Sequence, residues 1–233
     1  KDQKLPRPYF TVIIVPRLFS ENIAHAEREA AARPSTVNSG ANIGRYTQQN
    51  PTSPDPNRQF PTAGTAFDPN NPVDARGRQI ELPNVILLEL IQRFQPARVA
   101  NLHAIRSERD AGIYADPRTN AQGQSLGFDY DRDLALAMSE RAEQGGARVG
   151  GNRRTRDQNL RAVYPRDPAA AAAGTRQQRS EGGPQSYGRG TSFGIWGSTE
   201  VNDPNNPQFN RPAMTVITVE VATANRTQDV SRS

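Results

Sequence analysis

Cysteine is absent from this 233-residue chain, and histidine and lysine are nearly so. Without cysteine there are no disulfides and no thiolate metal sites, which leaves histidine, aspartate and glutamate as the available metal ligands. His25 and His103 are the only histidines, and Lys1 and Lys4 the only lysines. The net charge of +5 is therefore carried almost wholly by arginine, and by itself it names no partner. No apolar run approaches the roughly 20 residues of a membrane span, so no membrane partner is expected. Only 34% of the chain is hydrophobic, and it holds 19 Pro and 18 Gly, so a packed core must share the chain with much irregular surface. The length suits one α/β domain spanning 1–233 better than two.

What is present sorts into elements. "PYFTVIIVP" (8–16) is a continuous β-branched run closed by Pro16, the pattern of a strand covered on both faces. "SENIAHAEREAAAR" (20–33) reads as a helix, with Ser20 as its cap and Pro34 as its stop. Residues 34–82 are rich in Pro, Asn, Asp and Thr and read as a long ordered loop. "LPNVILLELIQRF" (82–94) is apolar almost all round, which predicts a buried helix with Pro83 in its first turn. "ARVANLHA" (97–104) follows as a short strand, and "DRDLALAMSERAEQ" (131–144) as a helix ended by Gly145-Gly146. "AMTVITVEV" (213–221) alternates Met214, Val216, Thr218 and Glu220 with Thr215, Ile217, Val219 and Val221, the signature of a strand with two faces. The expected fold is α/β, a mixed sheet flanked by helices.

Three groups then stand out: His103 at one strand end, Glu220 near the end of another, and the pair Asn57-Arg58 in a polar loop. Strand ends of an open α/β sheet are where sites form. A carboxylate aligned with Val216 and Thr218 is partly desolvated, which suits it to proton transfer. Arginine offers a planar fork matched to a carboxylate. These are the groups a peptidase acting on chain ends needs. The bland alternatives are a core histidine, a solvated strand-end carboxylate and a surface arginine.

In these segments the sequence resembles the zinc metallocarboxypeptidases of the carboxypeptidase A type. "FTVIIVP" looks like the family's central strand, and "DPNRQFP" is similar to its D-x-N-R segment. "NLHAIRS" looks like the strand ending in its third zinc ligand, and "TVITVEV" like the strand carrying its general base. "YGRGTSFGIW" sets Tyr187 nine residues before Trp196, a spacing resembling the family's mobile tyrosine and the Gly-rich turn after it. The resemblance implies His103 as a zinc ligand, Asn57 and Arg58 as holders of the substrate's terminal carboxylate, and Tyr187 as a further substrate contact. It implies Glu220 as the general base and, by a weaker match, Arg45 as the group polarising the scissile carbonyl. In such a hydrolase zinc polarises the carbonyl and lowers the pKa of its water to roughly 7.

The resemblance also sets out what is missing. The family's H-x-x-E zinc motif lies upstream of the strand matched at 9–15, where only eight residues stand here and none is histidine. His25 and Glu29 in "HAERE" are four apart and share a helix face, but the spacing is not H-x-x-E, and a solvated helix face is the simpler reading. The chain stops thirteen residues after Glu220, so the family's terminal helix is expected to be absent or shortened. One histidine cannot hold catalytic zinc, which takes three protein ligands, so the chain alone is not expected to be an active peptidase.

Three explanations follow. The chain is a processed piece completed by a segment or another chain that supplies H-x-x-E, a relic whose fold now serves a filament or other assembly, or a truncated sequence. Lys1 as first residue favours processing or truncation. Expected partners are a peptide or protein C-terminus and other protein chains, since lost strands leave a sheet edge open to pairing. The family and the missing start methionine imply a secreted or cell-surface location. The segment 145–190 carries nine arginines and three acids, but they follow no fixed spacing, which argues against a nucleic-acid groove and for an irregular solvated segment.

Overall fold

The structure is a computed structural model, and it describes residues 11–20, 23–24, 27–28, 56–105, 110–127, 129–152 and 190–222. Its elements are α1 (Leu82–Phe94), β1 (Arg98–Ile105), β2 (Gly112–Ala115), α2 (Asp129–Gln144), α3 (Phe193–Ser198) and β3 (Thr215–Ala222). The protein is mixed α/β. β3 is the middle strand, parallel to β1 and antiparallel to β2. The alternation in 213–221 is realised as expected: Val216 joins the core on one face, and Ile217 joins the core on the other.

On the first face α1 and α3 cover the sheet. Phe60, Phe67, Leu88, Ile91, Phe193, Trp196, Met214 and Val216 form one buried cluster, with Val99 packed against it. Helix α1 begins with proline in its first turn, where the missing N–H costs nothing, and ends at Gln95, whose left-handed backbone donates its N–H to the Ile91 carbonyl. Only one stripe of it is buried, Asn84, Leu88 and Ile91. Leu82, Ile86 and Phe94 face outward, which corrects the expectation of a helix buried all round. α3 is a six-residue helix, every residue of it buried, capped by the Ser192 hydroxyl accepting the Ile195 N–H. A Cβ at Gly197 would stand 2.9 Å from a Val216 methyl, so glycine there lets the helix rest directly on β3.

On the second face α2 presents Asp131, Ala135 and Ser139, small or short side chains one turn apart that allow a close approach to the sheet. Ala135 meets Ile113, Ala115 and Ile217. Asp131, fully buried, accepts from the Thr215 hydroxyl at 2.7 Å and from Arg118 Nε at 2.6 Å, which ties the start of the helix to the start of β3. Gly146, at φ +88°, closes the helix as the double glycine predicts.

Two differences from expectation bear on the site. Residues 11–15 join no helix or ladder among the described residues, and Val12, Ile13, Ile14 and Val15 are all exposed, Ile14 by 80%. A strand covered on both faces is therefore not what these residues form here; their apolar content reflects surface left uncovered. Strand β2, four residues with two small ones and too short to show a periodic pattern, was not anticipated. Its outer edge is closed by Asn152, whose amide both accepts from and donates to the Ile113 backbone, at 2.6 and 2.9 Å.

Candidate functional site

Because β1 and β3 run parallel, their C-terminal ends lie side by side. The register pairs Val99 with Val216, Asn101 with Thr218 and His103 with Glu220. Side chains paired in this way share a face, and this face is the one carrying α1 and α3. The row runs from apolar to polar toward the strand ends: Val216 is sealed in the core, Thr218 is buried, and His103 and Glu220 are half-buried. His103 Nε2 lies 2.7 Å from the Asn101 amide nitrogen, which fixes the ring on its own strand. Thus two residues 117 positions apart, singled out separately from sequence, are cross-strand neighbours.

Asn57 and Arg58 form a single 3-10 turn at Pro56–Arg58. The turn is anchored from three sides. Asn84 donates to the Pro56 carbonyl at 2.8 Å, Arg78 donates to the Arg58 carbonyl at 3.0 Å, and Phe60 bridges to Thr191. Asn57 Oδ1 accepts the Phe193 N–H at 2.8 Å, joining the turn to the start of α3. Gly190, at φ +96°, packs so closely on the Arg58 carbonyl that any Cβ would collide with it. Through α3, then, the Asn-Arg turn reaches the same sheet face as His103 and Glu220. Arg45, Tyr187, His25 and Glu29 lie outside the described residues.

Two components of this region were not found by sequence reasoning. Arg211 is 6% exposed, stacks over the Trp196 ring at 4.1 Å, and donates to the carbonyls of Trp196, Gly197, Thr199 and Pro212. It clamps the C-terminal end of α3, whose carbonyls have no helical partner. Burial pushes its pKa down to about 10, which leaves it charged at neutral pH. Asp116, 7% exposed, follows β2 and donates its N–H to the Val216 carbonyl. Its carboxylate packs against Gly194. The available signal was the spacing of Gly194 and Gly197, one turn apart around "FGIWG", which marks a helix pressed against other groups.

No group of three or more His, Asp or Glu side chains stands close enough to hold a metal ion among the described residues. His103 with its Asn101 neighbour does not make up the three-ligand set that catalytic zinc takes. Nor is any helix among the described residues long and apolar enough to cross a membrane.

The arrangement defines a mixed α/β protein with an imidazole and a carboxylate at adjacent parallel strand ends, and an Asn-Arg turn fixed to a helix on the same sheet face. No protein-family model matches the chain, and neither does any curated protein or solved structure.

Proposed function

We propose that this chain is a carboxypeptidase-like protein that grips the free C-terminus of a peptide. In this reading Arg58 and Asn57 hold the terminal carboxylate, with Glu220 and His103 beside the last peptide bond. The observation that carries this reading is the pairing of His103 with Glu220 at the ends of parallel strands, on the face to which α3 ties the Asn57-Arg58 turn. A guanidinium and an amide are the donors suited to a carboxylate, and leaving that carboxylate unpaired in a partly closed site is costly. Hydrolysis requires an H-x-x-E pair supplied by an upstream segment or another chain, as the resemblance to zinc metallocarboxypeptidases implies. Glu220 then acts as the base, taking a proton from the attacking water and passing it to the amine that leaves as the C–N bond breaks.

The test is binding rather than turnover. Calorimetry with an Nα-acetyl amino acid and its amide should show the free acid bound and the amide bound at least about ten-fold more weakly. In Arg58→Ala that preference should vanish. Equal affinity for acid and amide in the unmodified chain defeats the reading.

A second reading, an assembly subunit, is favoured by one specific feature. α2 lies over β2 and β3 rather than β1, which leaves Leu102 of β1 75% exposed on that face, with Val221 exposed beside it. Leu102 and Val221 make a small apolar patch of the kind that other chains cover, and Val12–Val15 are exposed as well.

A further inference from the structure

We infer that Arg78 is a positioning residue of the carboxylate grip: its guanidinium, held by the buried Asp74, fixes the Asn57-Arg58 turn in place. The inference rests on the C-terminal grip proposed above and adds to it a residue that acts through Arg58 rather than on the substrate.

The loop 74–78 is built around one carboxylate. Asp74 is buried, and its Oδ1 accepts the N–H groups of Arg76 and Arg78 at 2.8 and 3.0 Å. Its Oδ2 accepts Arg78 Nε at 2.6 Å and pairs with NH2 of the same guanidinium. Charge-assisted contacts through two nitrogens, to a carboxylate that the loop itself holds, leave this side chain one orientation. From there Arg78 NH2 reaches back twenty residues and donates to the Arg58 carbonyl at 3.0 Å. The loop makes a second link just past the turn, where the Ala75 N–H donates to the Phe60 carbonyl at 3.0 Å.

Arg58 uses the neighbouring carbonyl of the same turn, its NH1 donating to the Asn57 oxygen at 2.7 Å. Two consecutive carbonyls are thus each taken by a guanidinium, that of Asn57 by Arg58 and that of Arg58 by Arg78. The peptide units that carry them are joined, so releasing the Arg58 carbonyl also shifts the oxygen on which the Arg58 side chain rests. Gly190 closes over the same place: a Cβ there would collide with the Arg58 oxygen and stand 3.1 Å from Arg78 NH2. Lysine at 78 would keep the positive charge as a single point on a flexible stem. It has no planar fork with which to serve Asp74 and the Arg58 carbonyl together. The position therefore calls for the shape of arginine and not only its charge.

An ion pair in a loop also has a purely structural use, and the test separates the two roles. Nα-acetyl-L-leucine and its amide are titrated into the full chain, Arg78→Lys and Asp74→Asn, with thermal unfolding recorded for each. Arg76→Lys, the same change at an exposed position of the same loop, is the control. Asparagine at 74 keeps the oxygen that accepts the two loop N–H groups and sets an NH2 against Arg78 in place of the other oxygen. The expected result is an acid-over-amide preference of about ten-fold in the unmodified chain and in Arg76→Lys, falling to about three-fold or less in Arg78→Lys and Asp74→Asn. The fall should come from weaker binding of the acid at unchanged affinity for the amide, since a displaced guanidinium weakens the acid alone and a damaged fold weakens both. If either variant keeps the full preference, if acid and amide weaken together as the unfolding temperature drops, or if Arg76→Lys has the same effect, Arg78 has no positioning role and the grip stands. If the unmodified chain binds acid and amide equally, or binds neither, the grip fails and the inference fails with it.

Discussion

The two faces of the sheet are built from the same three strands and solve different problems. Under α2 the polar groups are directed inward at one another: Asp131 takes hydrogen bonds from Thr215 and Arg118, and apolar side chains fill the space around Ala135. Under α1 and α3 the inner half is a tight aromatic cluster, and the outer half presents Thr218, Asn101, His103 and Glu220 along the strand ends. The difference teaches where chemistry is expected. On the α2 face the polar groups hold the fold together; at the parallel strand ends they stand at the position where open α/β sheets place their sites, and that is the face proposed here for a ligand.

Substitutions on each face sharpen that contrast. Trp196→Ala should have the largest effect, a loss of about 4 kcal/mol in denaturant unfolding, since it opens a cavity and takes away the ring beneath Arg211. It should also abolish carboxylate binding, because α3 carries the Phe193 N–H that holds Asn57. Asp131→Ala comes next, at about 3 kcal/mol, because it strands the Arg118 charge and the buried Thr215 hydroxyl. Below its lowered unfolding temperature it should bind the acetylated amino acids normally; loss of binding there would erase the division between the faces. Leu102→Lys should change stability by less than about 0.5 kcal/mol. Sedimentation velocity should show it dispersed where the unmodified chain associates, and a chain that never associates removes the assembly reading.

Much of the scaffold was legible because it rests on local chemistry. The helix at 82–94 needs only its first-turn proline and the stripe Asn84, Leu88, Ile91, and the strand at 215–222 follows from strict alternation. The outward Leu82, Ile86 and Phe94 were illegible, since an apolar residue is written the same way whether or not a neighbour covers it. For the same reason the β-branched run at 12–15 reads as a covered strand and yet stands exposed. β2 and α3 are too short for periodicity to register, so Asp116 and Gly194, which they position, went unnoticed.

His103, Glu220, Asn57 and Arg58 were each visible as residue types suited to a site, and composition alone removed thiolate chemistry. That His103 and Glu220 stand opposite one another is a matter of strand register, and that Asn57 reaches their face is a matter of one hydrogen bond across 136 residues. Local sequence determines propensity and pattern, because those depend on near neighbours along the chain. Partnership between distant segments depends on which surfaces the folded chain brings into contact, and only the tertiary structure decides it.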